Sequence, residues 1–114
     1  MELPSESQLL RIFIGESNKH KGKPLYEWLV IKAKEQGLAG ATVLRGLMGF
    51  GANSRIHTSK ILRLSLDLPI VVEIVDTPEK IKEFLSCIKT VVEEGLVTLE
   101  KAEVYIYRSN NQNE

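Results

Sequence analysis

Two strand–helix–strand halves packed into 114 residues constrain this chain more than any other feature. The first half opens on Leu9–Gly15, where Leu10, Ile12 and Ile14 alternate with Leu9, Arg11 and Phe13, the period of a strand. A polar, basic connection follows, and Pro24 then suits the first turn of a helix, where its missing N–H costs nothing. Leu25, Trp28, Leu29, Lys32 and Ala33 recur at helical spacing, and Gly37 suits a left-handed stop. A second strand is expected from Ala39 to about Met48. In the second half, Leu68–Val75 is rich in Val and Ile, as a central strand should be. Asp76-Thr77-Pro78-Glu79 reads as a helix start: Asp76 or Thr77 caps, Pro78 fills the first turn, and Glu79 favours the positive helix end. Ile81, Phe84, Leu85, Ile88 and Val92 form that helix's buried stripe, and Gly95 ends it. Gly95–Lys101 is then a link, and the last strand is predicted at Val104–Tyr107.

This order predicts an α+β, ferredoxin-like βαββαβ sandwich: a four-stranded antiparallel sheet with two helices on one face. Residues 1–8 and 109–114 are polar and are expected to be tails around a domain of residues 9–108. The sheet face away from the helices should be polar in a monomer. It is left instead with Leu9, Phe13, Val71, Val75, Tyr105 and Tyr107. A face of that kind marks an interface, so an oligomer packed through the sheet is expected.

Composition narrows the class further. Lys and Arg number 15, as do Asp and Glu, so the net charge is zero and nothing suggests nucleic-acid binding. No apolar run approaches the roughly 18 residues of a membrane span. The acidic, polar opening Met1–Glu6 does not resemble a signal peptide, and the single Cys87 has no partner for an internal disulfide. A cytoplasmic protein is expected.

The segment Gly46-Leu47-Met48-Gly49-Phe50-Gly51 concentrates glycine, which allows close backbone approach to a ligand. It leads into a connection of about 19 residues, Gly49–Asp67, longer than the roughly 12–15 at which a loop needs a reason. The connection carries Asn53, Ser54, Arg55, His57, Lys60 and Arg63. It reads either as an anion-binding cradle with a recognition loop or as a long hairpin with glycines at its corners. With so few fixed contacts expected, Phe50–Ile61 should be mobile in the free protein. No Gly-Lys-Ser/Thr closes the segment, so it is not the phosphate loop of NTPases. The second glycine site, Gly95-Leu96-Val97-Thr98, would meet the first only through a neighbouring subunit or across a sheet edge.

Catalytic and metal chemistry find little footing. His20 and His57 lack partners at metal-ligand spacing. His20 sits among Lys19, Lys21 and Lys23, a solvated basic turn. Cys87 and Trp28 read as core residues. Ser54 or Ser59 beside His57 has no third group to orient a base. No enzyme is expected.

Taken in order, Leu38–Gly46, Gly49-Phe50-Gly51, Ser54–His57, Asp67-Leu68-Pro69, Val72–Asp76 and Glu94–Thr98 resemble the uncharacterised PII-like relatives of the nitrogen regulatory protein. Gly15-Glu16 and Gly22–Leu25 do so as well, and the likeness runs over roughly residues 9–107. The resemblance implies a homotrimer with sheets facing inward and an adenine nucleotide in clefts between subunits. It implies that loop 49–67 signals to a protein target such as a membrane transporter. It assigns Gly46, Gly49, Phe50, Gly51, Gly95, Leu96, Val97 and Thr98 to the nucleotide, and Asn53, Ser54, Arg55, His57 and Lys60 to the signalling loop. Met48 beside Phe50 offers apolar contact to the base, and Arg55, Lys60 and Arg108 are the candidate cations for phosphate pairing. The glycine-and-lysine phosphate motif usual in PII proteins is absent from Gly95–Thr98, which favours AMP or ADP while still admitting ATP. No tyrosine occurs in residues 46–68, so the tyrosine modification of nitrogen-sensing PII proteins has no acceptor. Two other readings share the fold. One is a copper-tolerance-type trimeric metal binder, which lacks a His/Cys cluster here. The other is a small acyl-phosphate hydrolase using Arg55 and Asn53.

Overall fold

A computed structural model describes residues 5–51, 57–58 and 67–109. Of the tails expected at 1–8 and 109–114, residues 1–4 and 110–114 lie outside the described residues, as does most of the long loop with its expected mobility. The elements run β1 Glu6–Gly15, β2 Lys19–His20, β3 Lys23–Pro24, α1 Leu25–Glu35, β4 Thr42–Arg45, β5 Met48–Gly49, β6 His57–Thr58, β7 Pro69–Asp76, α2 Pro78–Ile88 and β8 Leu96–Glu103. The main sheet has the order β4-β7-β1-β8, antiparallel throughout. This is the ferredoxin-like arrangement, with both helices on one face.

Strict alternation builds the core. Leu10, Ile12 and Ile14 of β1 and Ile70, Val72 and Ile74 of β7 are buried on one face. Against them α1 sets Leu25, Leu29 and Ala33, and α2 sets Ile81, Phe84 and Ile88. Both triplets follow helical periodicity, so each helix presents one apolar stripe. Trp28 and Cys87 are partly buried and pack against this cluster.

The start of α2 forms as the sequence predicts. Thr77 is the N-cap, and its Oγ1 accepts the Lys80 N–H at 3.2 Å, with Pro78 in the first turn. Asp76 is wholly buried and serves two backbone groups: Oδ1 accepts the Thr77 N–H at 2.6 Å and Oδ2 the Ala39 N–H at 2.8 Å. The carboxylate thereby ties the α1–β4 connection to the start of α2. Gly37, at φ 76°, ends α1, and Lys80 Nζ donates to its carbonyl at 2.9 Å.

Three boundaries in the first half of the chain differ from expectation. β1 begins at Glu6, and Ser7 is buried, because β8 runs far enough to pair with the strand's first residues. Pro24 stands at the N-cap of α1 rather than within its first turn, since Lys19 pairs with it in the β2–β3 ladder. The strand expected over Ala39–Met48 is interrupted: β4 stops at Arg45, and Met48–Gly49 pairs instead with His57–Thr58.

The largest correction concerns the C-terminal strand. It is Leu96–Glu103, not Val104–Tyr107, and α2 ends at Ile88 rather than at Gly95. Gly95, at φ 146°, passes so close to β1 that a Cβ there would lie 2.5 Å from the Phe13 carbonyl oxygen. That approach brings Leu96 opposite Phe13 and sets the register through to Glu103 opposite Glu6. Val104–Tyr107 has the stronger β-propensity, but β1 has run out of partners for it, and tertiary pairing overrides propensity. Tyr105 is accordingly 92% exposed, and the Tyr107 hydroxyl donates to the Ala39 carbonyl at 2.9 Å.

Candidate functional site

A cleft of about 500 Å³ opens at the end of the sheet where β1 finishes and where β7 and β8 begin. Its floor is Phe13, Ile14 and Gly15 of β1 with Pro69 and Ile70 of β7. One wall is Gly49, Phe50 and Gly51; the facing wall is Glu94, Gly95 and Leu96. Asn18 and Asp67 complete the rim.

Local backbone geometry explains why these segments converge. The Gly46 N–H donates to the Pro69 carbonyl at 2.7 Å, extending the β4–β7 ladder by one bond. A Cβ on Gly46 would sit 2.8 Å from Pro69 Cγ, so only glycine lets the chain pass the proline ring. The β5–β6 ladder, with Gly49 opposite His57, then carries Phe50 and Gly51 to the mouth of the cleft. Phe50 is 69% exposed, and a Cβ on Gly51 would meet nothing within 4 Å, so both face open space. On the other side, Asp67 Oδ1 accepts the Ser17 N–H at 3.0 Å and occupies the room that a Cβ on Gly15 would need.

The two glycine sites therefore meet within one chain, where the sequence pointed to a neighbouring subunit or a sheet edge. The reason is the early start of β8, which puts Leu96 rather than a distant linker beside Phe13. Gly49, Phe50, Gly51, Gly95 and Leu96 line the cleft together. Gly46 shapes the approach from behind Pro69, and Met48 is exposed on the β5–β6 ladder. Val97 and Thr98 are not brought to the cleft. Val97 lines a separate groove with Leu85 and Val92 beside α2, and Thr98 sits opposite Arg11 in the sheet. Arg108 follows Tyr107, whose hydroxyl is held by the Ala39 carbonyl beside Asp76, toward the end of β1 away from the cleft, and Arg108 does not line the cleft. Of the signalling-loop residues only His57 is described, by its backbone; Asn53, Ser54, Arg55 and Lys60 lie outside the described residues.

Sequence reasoning missed Asn18, Asp67 and Glu94 as cleft residues. Asp67 left a signal, since it follows the long loop and directly precedes the central strand. The electrostatics of the cleft follow from these additions: its described lining holds two carboxylates and no cation. Arg45, at the end of β4, is already engaged with Glu16 at 3.0 Å. Among the described residues no three His, Cys, Asp or Glu side chains gather as a metal-ligand set. No helix among them is long and apolar enough to cross a membrane.

On the opposite sheet face, Leu9, Phe13, Val71 and Val75 are only half-buried, as the sequence suggested. Tyr105 and Tyr107 do not join them, and Leu44 and Leu96 take their place. An ion cluster stands at the centre: Arg11 Nε lies 2.9 Å from Glu73 Oε2, and Arg11 Nη1 reaches Glu100 Oε2.

The fold is that of the PII-like proteins. The structure of CPII, a nitrogen regulatory PII-like protein from Thiomonas intermedia K12 bound to ADP, AMP and bicarbonate, aligns with a TM-score of 0.67. That alignment covers 87% of this chain and 88% of the other at 18% identity. The apo form of the same protein aligns at 0.61. By sequence the chain belongs to DUF190, a family described as an uncharacterised ACR, which matches residues 7–104. A UPF0166 protein of Aquifex aeolicus (strain VF5) is 48% identical over 99 residues, covering 87% of this chain and 93% of that protein. A UPF0166 protein of Methanocaldococcus jannaschii is 32% identical over 101 residues, covering 88% and 93%.

Proposed function

We propose that this chain is a cytoplasmic PII-like signalling protein rather than an enzyme: a homotrimer that binds an adenine nucleotide and signals through loop 49–67 to a protein target such as a membrane transporter. AMP and ADP are preferred over ATP. The observation that carries this reading is the convergence of Gly49–Gly51 and Gly95-Leu96 on one cleft. The fold is shared with a protein whose structure holds ADP and AMP. The cleft suits the apolar part of a nucleotide, with Phe50 and Leu96 as walls above Phe13 and few polar groups between them. Phe50 and Gly51 stand at the base of the long loop, so a bound ligand bears directly on the loop's conformation. Nucleotide signals by favouring one loop state over another.

The half-buried apolar face supports the trimer, because packing sheets against one another removes Leu9, Phe13, Val71 and Val75 from water. Arg108, remote from the cleft of its own chain, is assigned to a neighbour's cleft as a phosphate partner. Titration calorimetry with AMP, ADP and ATP tests the reading. The parent binds AMP and ADP, and Gly51→Val, which fills open space without crowding the fold, abolishes binding while the far-ultraviolet spectrum is unchanged. Failure of the parent to bind either nucleotide overturns the assignment.

A further inference from the structure

Between the end of β1 and the start of α1, strands β2 and β3 form a small hairpin with Lys19 opposite Pro24 and His20 opposite Lys23. Its two turn residues, Lys21 and Gly22, have φ of 52° and 81°, the pattern of a type I′ turn. Asn or Asp normally precedes Gly in such a turn, because a Cβ crowds the backbone in the left-handed region and their short polar side chains offset this with a local hydrogen bond that lysine does not make. Lys21 is the one non-glycine residue with positive φ among those described. Lys19, Lys21 and Lys23 are all exposed, and none forms an ion pair among the described residues. The chain thus tolerates a strained lysine at the tip of a hairpin with three lysines, and among the described residues its charge makes no ion pair.

The foot of this hairpin is fixed. The Asn18 carbonyl accepts the Leu25 N–H at 2.7 Å, and the His20 ring meets Trp28 edge-on with centroids 4.8 Å apart. Asn18 also lies on the rim of the cleft, one residue before Lys19. The described lining of the cleft supplies apolar walls and two carboxylates, Asp67 and Glu94, but no positive charge.

We propose that Lys19, Lys21 and Lys23 form the phosphate-recognition element of this chain, meeting the phosphates of a ligand whose apolar part lies in the cleft. The proposal rests on the nucleotide reading above and adds where, within one chain, the countercharge comes from. Lysine suits the task as a mobile point charge on a four-carbon stem, able to follow one phosphate or two without a fixed fork. The unpaired cluster also attracts an anion from a distance, an effect that salt screens over about 10 Å at 0.1 M.

Calorimetry with adenosine, AMP and ADP at two salt concentrations tests this on the parent, on Lys21→Asn and on the triple Lys19→Ala, Lys21→Ala, Lys23→Ala variant. The triple variant should bind ADP roughly ten-fold more weakly, AMP less so, and adenosine as the parent does, with a shallower salt dependence. Lys21→Asn should melt at the same or a higher temperature, because asparagine suits the turn, while still weakening ADP. That combination cannot come from misfolding. If the parent binds ADP and the triple variant binds it equally well, or loses adenosine to the same extent, the hairpin is not the phosphate site and the nucleotide reading stands. If the parent binds none of the three, the nucleotide reading fails and this proposal fails with it.

Discussion

Arg11 and Glu73 face each other across β1 and β7, with Nε and Oε2 2.9 Å apart, on the sheet face that also carries Leu9, Phe13, Val71 and Val75. Glu100, on the other neighbour of β1, completes the cluster by accepting from Arg11 Nη1. The Glu73 hydrogen bond is the main influence holding the Arg11 guanidinium above its ordinary pKa, with opposing desolvation and a further contribution from the Glu100 charge. A raised folded pKa means that this contribution to stability is fully present below the unfolded value and is lost only as pH rises through the still higher folded value. Both lie far above neutrality. Arg11 titration therefore adds no slope to stability across the neutral range, which thermal melts over that range will check.

Arg11→Ala removes the positive charge between two carboxylates on β7 and β8. The melting temperature should fall, and the gap to the parent should narrow as salt is raised, because added ions screen the remaining like charges. A gap independent of salt would mean that lost packing of the arginine stem, rather than charge, sets the effect.

The same face is predicted to hold the oligomer together. Burying each of several side chains such as Phe13 and Val71 contributes roughly 1.5–3 kcal/mol. Phe13→Asp places an unpaired carboxylate in that contact and should release single chains of 12.8 kDa, where the parent scatters light as three. A parent that is already monomeric at micromolar concentration removes the basis for the trimer.

Gly95→Ala should cost roughly 1–3 kcal/mol in urea unfolding, with little change in the slope. Its φ of 146° disfavours any side chain, and the new Cβ would have to displace the Phe13 carbonyl from 2.5 Å. Loss of β8 pairing should appear as faster amide exchange at Phe13 and Leu96. Gly51→Ala, which meets nothing within 4 Å, is the control and should leave stability unchanged.

Asp76→Ala should destabilise by about 1–3 kcal/mol, since the Ala39 and Thr77 N–H groups both lose their buried acceptor. Thr77→Ala, which removes only the cap to Lys80, should cost about 1 kcal/mol. Chemical denaturation of the two variants side by side gives the comparison.

What was legible in the amino-acid sequence was whatever depends on local periodicity and capping. Leu10, Ile12 and Ile14 announce β1 by alternation, Ile81, Phe84 and Ile88 announce the buried stripe of α2, and Thr77-Pro78-Glu79 announces its start. Two such halves suffice for the ferredoxin-like fold. Tertiary structure alone decided the rest. Leu96–Glu103 carries Lys101 and Glu103 among its apolar residues and looks less like a strand than Val104–Tyr107 does. It becomes the strand because Gly95 lets the backbone close on Phe13, and hydrogen bonds to β1 then outweigh side-chain preference. The cleft follows from that same registration. Gly51, Gly95, Asn18 and Asp67 are far apart along the chain, and no local pattern links them. They share a site only because β1, β7 and β8 come together at one end of the sheet, a long-range pairing that periodicity does not encode.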